Sequence, residues 1–152
     1  MCDWFDPAYK AGGPIRSCIN FALQMQNEYD IFILTGNKDL NDTEPLKGII
    51  SDQWQTYRDN IRVYYNGGGM SQSFWKKIIN EIQPDFIYLN SVFSRPYTIQ
   101  PMIYCKLSGI GAKLIMSPRG MLRPSALQFK STKKKLFLSM LKGLGIHRII
   151  HF

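Results

Sequence analysis

Short apolar runs of β-type composition, separated by stretches with helical spacing, constrain this chain more than any other feature. Ile31-Phe32-Ile33-Leu34, Ile61 to Tyr65, Phe86-Ile87-Tyr88-Leu89 and Lys113 to Met116 are each four or five residues long and end at polar or glycine-containing turns, as buried strands do. Between them the period changes. Residues 14 to 27 place Ile15, Cys18, Ile19, Ala22 and Leu23 on one helical face, with Pro14 suited to the first helical position. Ser71 is a candidate N-cap for a helix carrying Phe74, Trp75, Ile78, Ile79 and Ile82, which Pro84 stops. A third helix runs around Thr98 to Leu107 and ends at Ser108-Gly109, its regular part starting at Pro101. A fourth covers about Lys130 to Leu144, and a last strand starts near Arg148.

This alternation predicts an α/β fold: a Rossmann-like, doubly wound parallel sheet with helices on both faces. Ligands in such sheets sit beyond the carboxyl ends of the strands. The candidate positions are therefore Gly36-Asn37, Asn66 to Gly69, Asn90-Ser91 and Ser117 to Gly120. Residues 38 to 60 carry charges, Pro45, Gly48 and scattered aromatics without a sustained period; they read as a long surface loop with room for one edge element. Before the first helix only Trp4, Phe5 and Cys2 are available for a strand, so the first strand is expected to be missing or reduced to a stub. With no helix after the last strand, residues 1 to 152 read as one domain cut from a longer protein at both ends.

Charge is unevenly distributed. Residues 1 to 85 hold 8 Lys or Arg and all 11 Asp and Glu, whereas residues 86 to 152 hold 11 Lys or Arg and no carboxylate. A stretch of 67 residues without an acidic side chain attracts anions: nucleic acid, phosphorylated ligands or an anionic membrane. Nucleic acid is the least supported, since no recognised module appears and the aromatics fall mostly at core spacing. Lys133-Lys134-Lys135, with Lys130, Lys142 and Arg148 nearby, forms a basic helix face. It is either a solvated surface or a dock for an anionic membrane, at about 1 kcal/mol per basic group. Apolar runs are far shorter than the ~20 residues that cross a bilayer, and the first ten residues lack a signal-peptide pattern; the location expected is the cytoplasm, peripheral to the inner face of the membrane. Cys2, Cys18 and Cys105 are odd in number and widely spaced, unlike a disulfide framework or a zinc site. No paired carboxylates, Ser/His/Asp or Cys/His set stands out, so neither a catalytic group nor a metal site is assigned.

Two motifs carry possible binding chemistry. Lys10-Ala11-Gly12-Gly13-Pro14 directly precedes a helix; two glycines and unpaired amides at a positive helix terminus suit a phosphate, though such a turn is also an ordinary structural device. It has neither the dinucleotide-binding nor the P-loop spacing. Ser117-Pro118-Arg119-Gly120-Met121-Leu122 places an arginine after a strand, where its planar fork can meet a phosphate or a sugar hydroxyl. An arginine with no specific partner fits the same pattern.

Taken in order, Asp3-Trp4-Phe5-Asp6-Pro7, Ala11-Gly12-Gly13-Pro14-Ile15-Arg16-Ser17, Ile33-Leu34-Thr35, Pro84-Asp85-Phe86-Ile87-Tyr88-Leu89-Asn90 and Ser117 to Leu122 resemble the amino-terminal half of family 4 glycosyltransferases. The resemblance implies a GT-B architecture of two Rossmann-like domains, with the acceptor held mainly by the first and the nucleotide-sugar mainly by the second. It implies a retaining, metal-independent transfer from a nucleotide-sugar co-substrate to a glycan or lipid-linked acceptor in cell-surface polysaccharide assembly, with no further cofactor. Carried over by position, Gly12 and Gly13 meet the donor phosphates. Arg119 stands where many relatives have a histidine that contacts the transferred sugar, and Asn90 takes another position often held by histidine. Asn90 with Ser91, and Arg119 with Gly120, then face acceptor or sugar, and Arg16 supports either ligand. The paired glutamates and basic residues of the donor-side domain have no counterpart here, so the chain is expected to be inactive alone. The alternative from another class is a non-catalytic Rossmann-like module that binds an anion or a membrane.

Overall fold

The computed structural model describes residues 1–122 together with Ser139, Lys142, Gly143, Gly145, Ile150 and His151. It is a mixed α/β structure in two compact units, Met1–Ser71 and Gln72–Phe152. Each contains a small open sheet with parallel strands.

In the first unit, helix α1 (Gly13–Met25) precedes β1 (Ile31–Gly36), β2 (Trp54–Arg58) and β3 (Ile61–Asn66). The sheet order is β1-β3-β2. β1 and β3 pair in parallel from Ile31 opposite Ile61 to Gly36 opposite Asn66, so Asn37 and Gly67 leave the sheet side by side. β2 lies antiparallel to β3 and departs from the all-parallel expectation. It is half-buried, as an edge strand should be, and it occupies the edge position left open in the segment 38 to 60.

Period-2 alternation sends Ile33, Ile61, Val63 and Tyr65 to one face, where they join Cys2, Phe5, Cys18 and Ala22 in a buried core. Ile15, Cys18 and Ala22 form the buried side of α1, with Ile19 and Leu23 packing partly against the same core. On the opposite face Phe32, Trp54 and Tyr64 stack edge to face at 5.4 and 5.3 Å, which favours an aromatic ladder across the strands.

The amino-terminal segment supplies the expected stub. The Cys2 amide donates to Leu34 O at 3.1 Å and the Gly36 amide donates to Asp3 O at 3.3 Å, so residues 2 and 3 run along the edge of β1 that β3 leaves unpaired. Phe5 is fully buried, with its ring edge-on to Tyr57 at 5.1 Å. Tyr57 donates to Asp6 Oδ2 at 3.0 Å, and Tyr65 donates to the Asp6 carbonyl. Burial first, then the Asp6 carboxylate, pushes both tyrosine hydroxyls up from their ordinary range. All three cysteines are buried free thiols. The hydrogen bond with Cys18, then burial, raises the Cys2 thiol, and burial pushes Cys105 up to about 11; buried thiols of this kind are poor nucleophiles.

In the second unit, α2 (Gln72–Ile82) buries Trp75, Ile78 and Ile79, as its spacing predicts. β4 (Phe86–Leu89) follows, then a π-helical turn (Arg95–Ile99), α3 (Gln100–Ser108) and β5 (Lys113–Met116). The π turn starts three residues before the predicted third helix and includes its first two residues, Thr98 and Ile99, so that α3 itself begins at Gln100. Pro96 and Pro101 lack amide donors in this stretch, and the Thr98 and Ile99 amides both donate to Ser94 O at 3.1 and 2.9 Å, a widened loop at a proline-rich start. Gly109, left-handed at φ 63, ends α3. β4 pairs with β5 in parallel from Phe86 opposite Lys113 to Leu89 opposite Met116. β6 (Ile150–His151) is parallel to β5 on its other side, confirming a strand near Arg148. The predicted helix from Lys130 to Leu144 falls almost wholly outside the described residues.

Candidate functional site

In the first unit the glycine turn begins at Tyr9, whose carbonyl accepts from the Gly12 amide at 2.9 Å. Gly12 has φ 65, a conformation that L side chains rarely adopt. Its carbonyl then accepts from the Ile15 and Arg16 amides at 3.1 and 3.3 Å and opens α1. No side chain caps this helix start. A Cβ built on Gly12 or Gly13 meets no atom within 4 Å, so the backbone there is open to approach. Gly12, Gly13 and Arg16 are all exposed.

Asp39, which the sequence did not single out, fastens this turn from behind. Only 4% exposed, its carboxylate accepts from the Tyr9 amide at 2.9 Å, from the Lys10 amide at 3.2 Å and from its neighbour Leu40 at 2.7 Å. Lys10 also pairs with Asp42. Burial acts to raise the Asp39 carboxyl, but the three amide donors outweigh it and hold the group below its ordinary value. A carboxylate lowered on folding stabilises the folded state above its unfolded value, about 3.9, and loses that contribution as pH falls through the folded value. Asp39→Asn should therefore melt below the wild type at pH 7, by about 1–2 kcal/mol, with the gap narrowing as the pH falls below the unfolded value of about 3.9. Paired thermal melts at pH 7 and pH 3 measure it; an equal gap at both would contradict the assignment.

In the second unit the structure brings together two residues the sequence nominated separately. Asn90 and Ser91 follow β4, and both are buried. Arg119 follows β5, whose exit is tied to β4 by the Ser117 amide donating to Leu89 O at 2.9 Å. Arg119 Nε donates to Asn90 Oδ1 at 2.8 Å. A buried amide thus orients the guanidinium of an exposed arginine.

Backbone geometry supports the same arrangement. The Met121 amide donates to Pro118 O at 2.8 Å, closing a turn whose central residues, Arg119 and Gly120, have φ 49 and 74. Both values are positive, as in a primed turn, which accounts for Gly120. Arginine in that conformation costs about 1 kcal/mol, and strain of this kind concentrates at functional positions. Ser91 has a bracing role here. Its hydroxyl accepts from the Ser94 amide at 3.2 Å and its carbonyl accepts from Thr98 Oγ1 at 3.1 Å, holding the loop into the π turn.

The hollow of about 560 Å³ lined by Pro84, Phe86, Ile110 and Lys113 lies at the amino ends of β4 and β5, the opposite ends of these strands from Asn90 and Ser117. Lys133, Lys134 and Lys135 lie outside the described residues. Among the described residues, no helix is long and apolar enough to cross a membrane, and no group of three or more His, Cys, Asp or Glu is placed to hold a metal ion. The nominated residues therefore form two groups: Gly12, Gly13 and Arg16 in the first unit, and Asn90, Ser91, Arg119 and Gly120 in the second. The chain matches no protein-family model, no curated protein and no solved structure.

Proposed function

We propose that this chain is the acceptor-side domain of a GT-B glycosyltransferase that moves a sugar, with retention, from a nucleotide-sugar to a glycan or lipid-linked acceptor. The fold belonging to this reading is the doubly wound, Rossmann-like sheet with the amino-terminal stub along β1. The observation that carries it is the hydrogen bond from Arg119 Nε to Asn90 Oδ1 at 2.8 Å. Two residues 29 apart in sequence, just past the carboxyl ends of adjacent parallel strands, are joined by a hydrogen bond where α/β sheets receive ligands.

In the reaction the acceptor hydroxyl oxygen replaces the nucleoside diphosphate at the anomeric carbon, the hydroxyl proton passes to the departing phosphate oxygen, and the diphosphate leaves as an anion. Arg119 supplies positive charge and a planar donor set to the sugar and its departing oxygen, and Asn90 fixes their direction. Within the first unit, Gly12 and Gly13 present backbone amides at the positive end of α1, a turn suited to a phosphate. A second Rossmann-like domain, bearing the donor's main contacts, completes the site, so the 152 residues alone transfer nothing.

The test is transfer of radiolabel from a panel of uridine-, guanosine- and adenosine-diphosphate sugars to lipid-linked or glycan acceptors, in membranes from cells expressing the gene that encodes the chain. The reading expects one donor to label a product. No label from any donor would overturn it.

A further inference from the structure

The carboxyl ends of β1 and β3 hold a second polar group that the reading above leaves unused. Asn37 and Asn66 are 8% and 9% exposed, and the Asn37 amide continues the sheet by donating to Asn66 O at 3.2 Å. The segment after β1 returns alongside: Ser51 bridges Tyr65, and the Asp52 amide donates to Tyr65 O at 2.9 Å. Each side chain spends one polar group on the protein. Asn37 Nδ2 donates to Ser51 Oγ at 3.1 Å, Asn66 Nδ2 donates to Gly68 O at 3.0 Å, and Asp52 Oδ1 accepts from the Gly67 amide at 2.9 Å. Asn37 Oδ1, Asn66 Oδ1 and Asp52 Oδ2 accept no hydrogen bond among the described residues.

Gly67 marks how closely the group converges. A Cβ there would stand 2.6 Å from Asn37 Nδ2 and 3.2 Å from Asp52 Oδ2. Beside it, Cβ atoms on Gly68 and Gly69 would meet nothing within 4 Å. Three oxygen acceptors therefore belong to one side-chain group next to an open glycine turn. A carboxylate among them repels phosphate, and acceptors without paired donors suit a ligand rich in hydroxyl groups.

We infer that Asn37, Asp52 and Asn66, with the floor of Gly68 and Gly69, form a subsite for a hydroxyl-rich glycan; it rests on the proposed reading and identifies the sugar units of the acceptor as its ligand.

Saturation-transfer NMR of the 152-residue chain with glucose, galactose, mannose and N-acetylglucosamine, free and as methyl glycosides, tests it. At least one sugar should give a signal. Gly68→Leu fills the open floor at a position without positive φ, so it should leave the melting temperature within about 2 °C and abolish the signal. Asp52→Asn keeps the oxygen that meets Gly67 and should weaken binding by about tenfold. Signal that survives Gly68→Leu but vanishes in Arg119→Ala would overturn the subsite and leave the acceptor reading standing. No signal with any sugar would overturn the subsite, and the labelling experiment then decides separately whether the acceptor reading survives. Binding abolished by a chelator and restored by Ca²⁺ would assign the oxygens to a cation and overturn it too.

Discussion

Phe5→Ala should remove a large share of the stability of the first unit. Phe5 is fully buried among Cys2, Cys18, Ile33 and Val63, and burying a ring this completely makes truncation to alanine cost about 3–5 kcal/mol. The edge-on contact with Tyr57 at 5.1 Å adds to the loss. Against total domain stabilities of about 5–15 kcal/mol, that is a large share. Because Phe5 anchors the segment between the β1 edge and the glycine turn, the damage should spread along the chain. The amides of Cys2 and of Tyr9 to Gly12 should lose their hydrogen-exchange protection before those of β1 and β3. A fall in Tm of ~15 °C or more is expected; a change under about 3 °C would show that the ring is not part of the core.

Arg119 should respond in the opposite sense. Arg119→Gly removes both the left-handed strain and the hydrogen bond to Asn90, effects of about 1 kcal/mol each that nearly cancel, so the melting temperature should hold. Sugar transfer should fall by about 10–100-fold, the loss expected when a charged hydrogen-bond donor is withdrawn from a reacting group. Arg119→Lys keeps the charge but loses the planar fork, and it should lie between the two. In a double-mutant cycle Asn90→Ala should add little once Arg119 is gone, because the amide acts through the guanidinium. A purely structural arginine would show the reverse pattern, with lost stability and unchanged transfer.

A smaller effect belongs to Gly67, where the 2.6 Å approach of Asn37 Nδ2 leaves no room for a methyl group. Gly67→Ala should cost about 1–2 kcal/mol through the Asn37–Ser51 hydrogen bond, while Gly68→Ala, facing open space, should be within about 0.5 kcal/mol of wild type. Denaturant titration of the two variants makes the comparison.

Elements whose apolar residues are continuous or strictly periodic were legible in the sequence. β4 and β5 fall on the residues their apolar runs mark, and α1 and α2 match their spacing to within a residue or two. β2 was not legible as a strand, because an antiparallel edge with intermediate burial leaves no continuous apolar run, only Trp54 and Tyr57 among polar neighbours. The π turn escaped for a different reason: periodicity reports which face is buried, while the hydrogen-bond offset at a proline-rich start is a local matter. At the site, Asn90 and Arg119 were each readable as strand-end residues, but their contact depends on the parallel register of β4 and β5. Asp39 was invisible, since no spacing rule joins it to a turn 29 and 30 residues earlier.

The most direct measurement is the anomeric configuration of the labelled product, taken by NMR from wild-type membranes and compared with Arg119→Gly membranes. The new linkage should keep the configuration of the nucleotide-sugar, and the product should fall by about 10–100-fold in the variant. A product of inverted configuration, or full yield from Arg119→Gly, would contradict the proposed function.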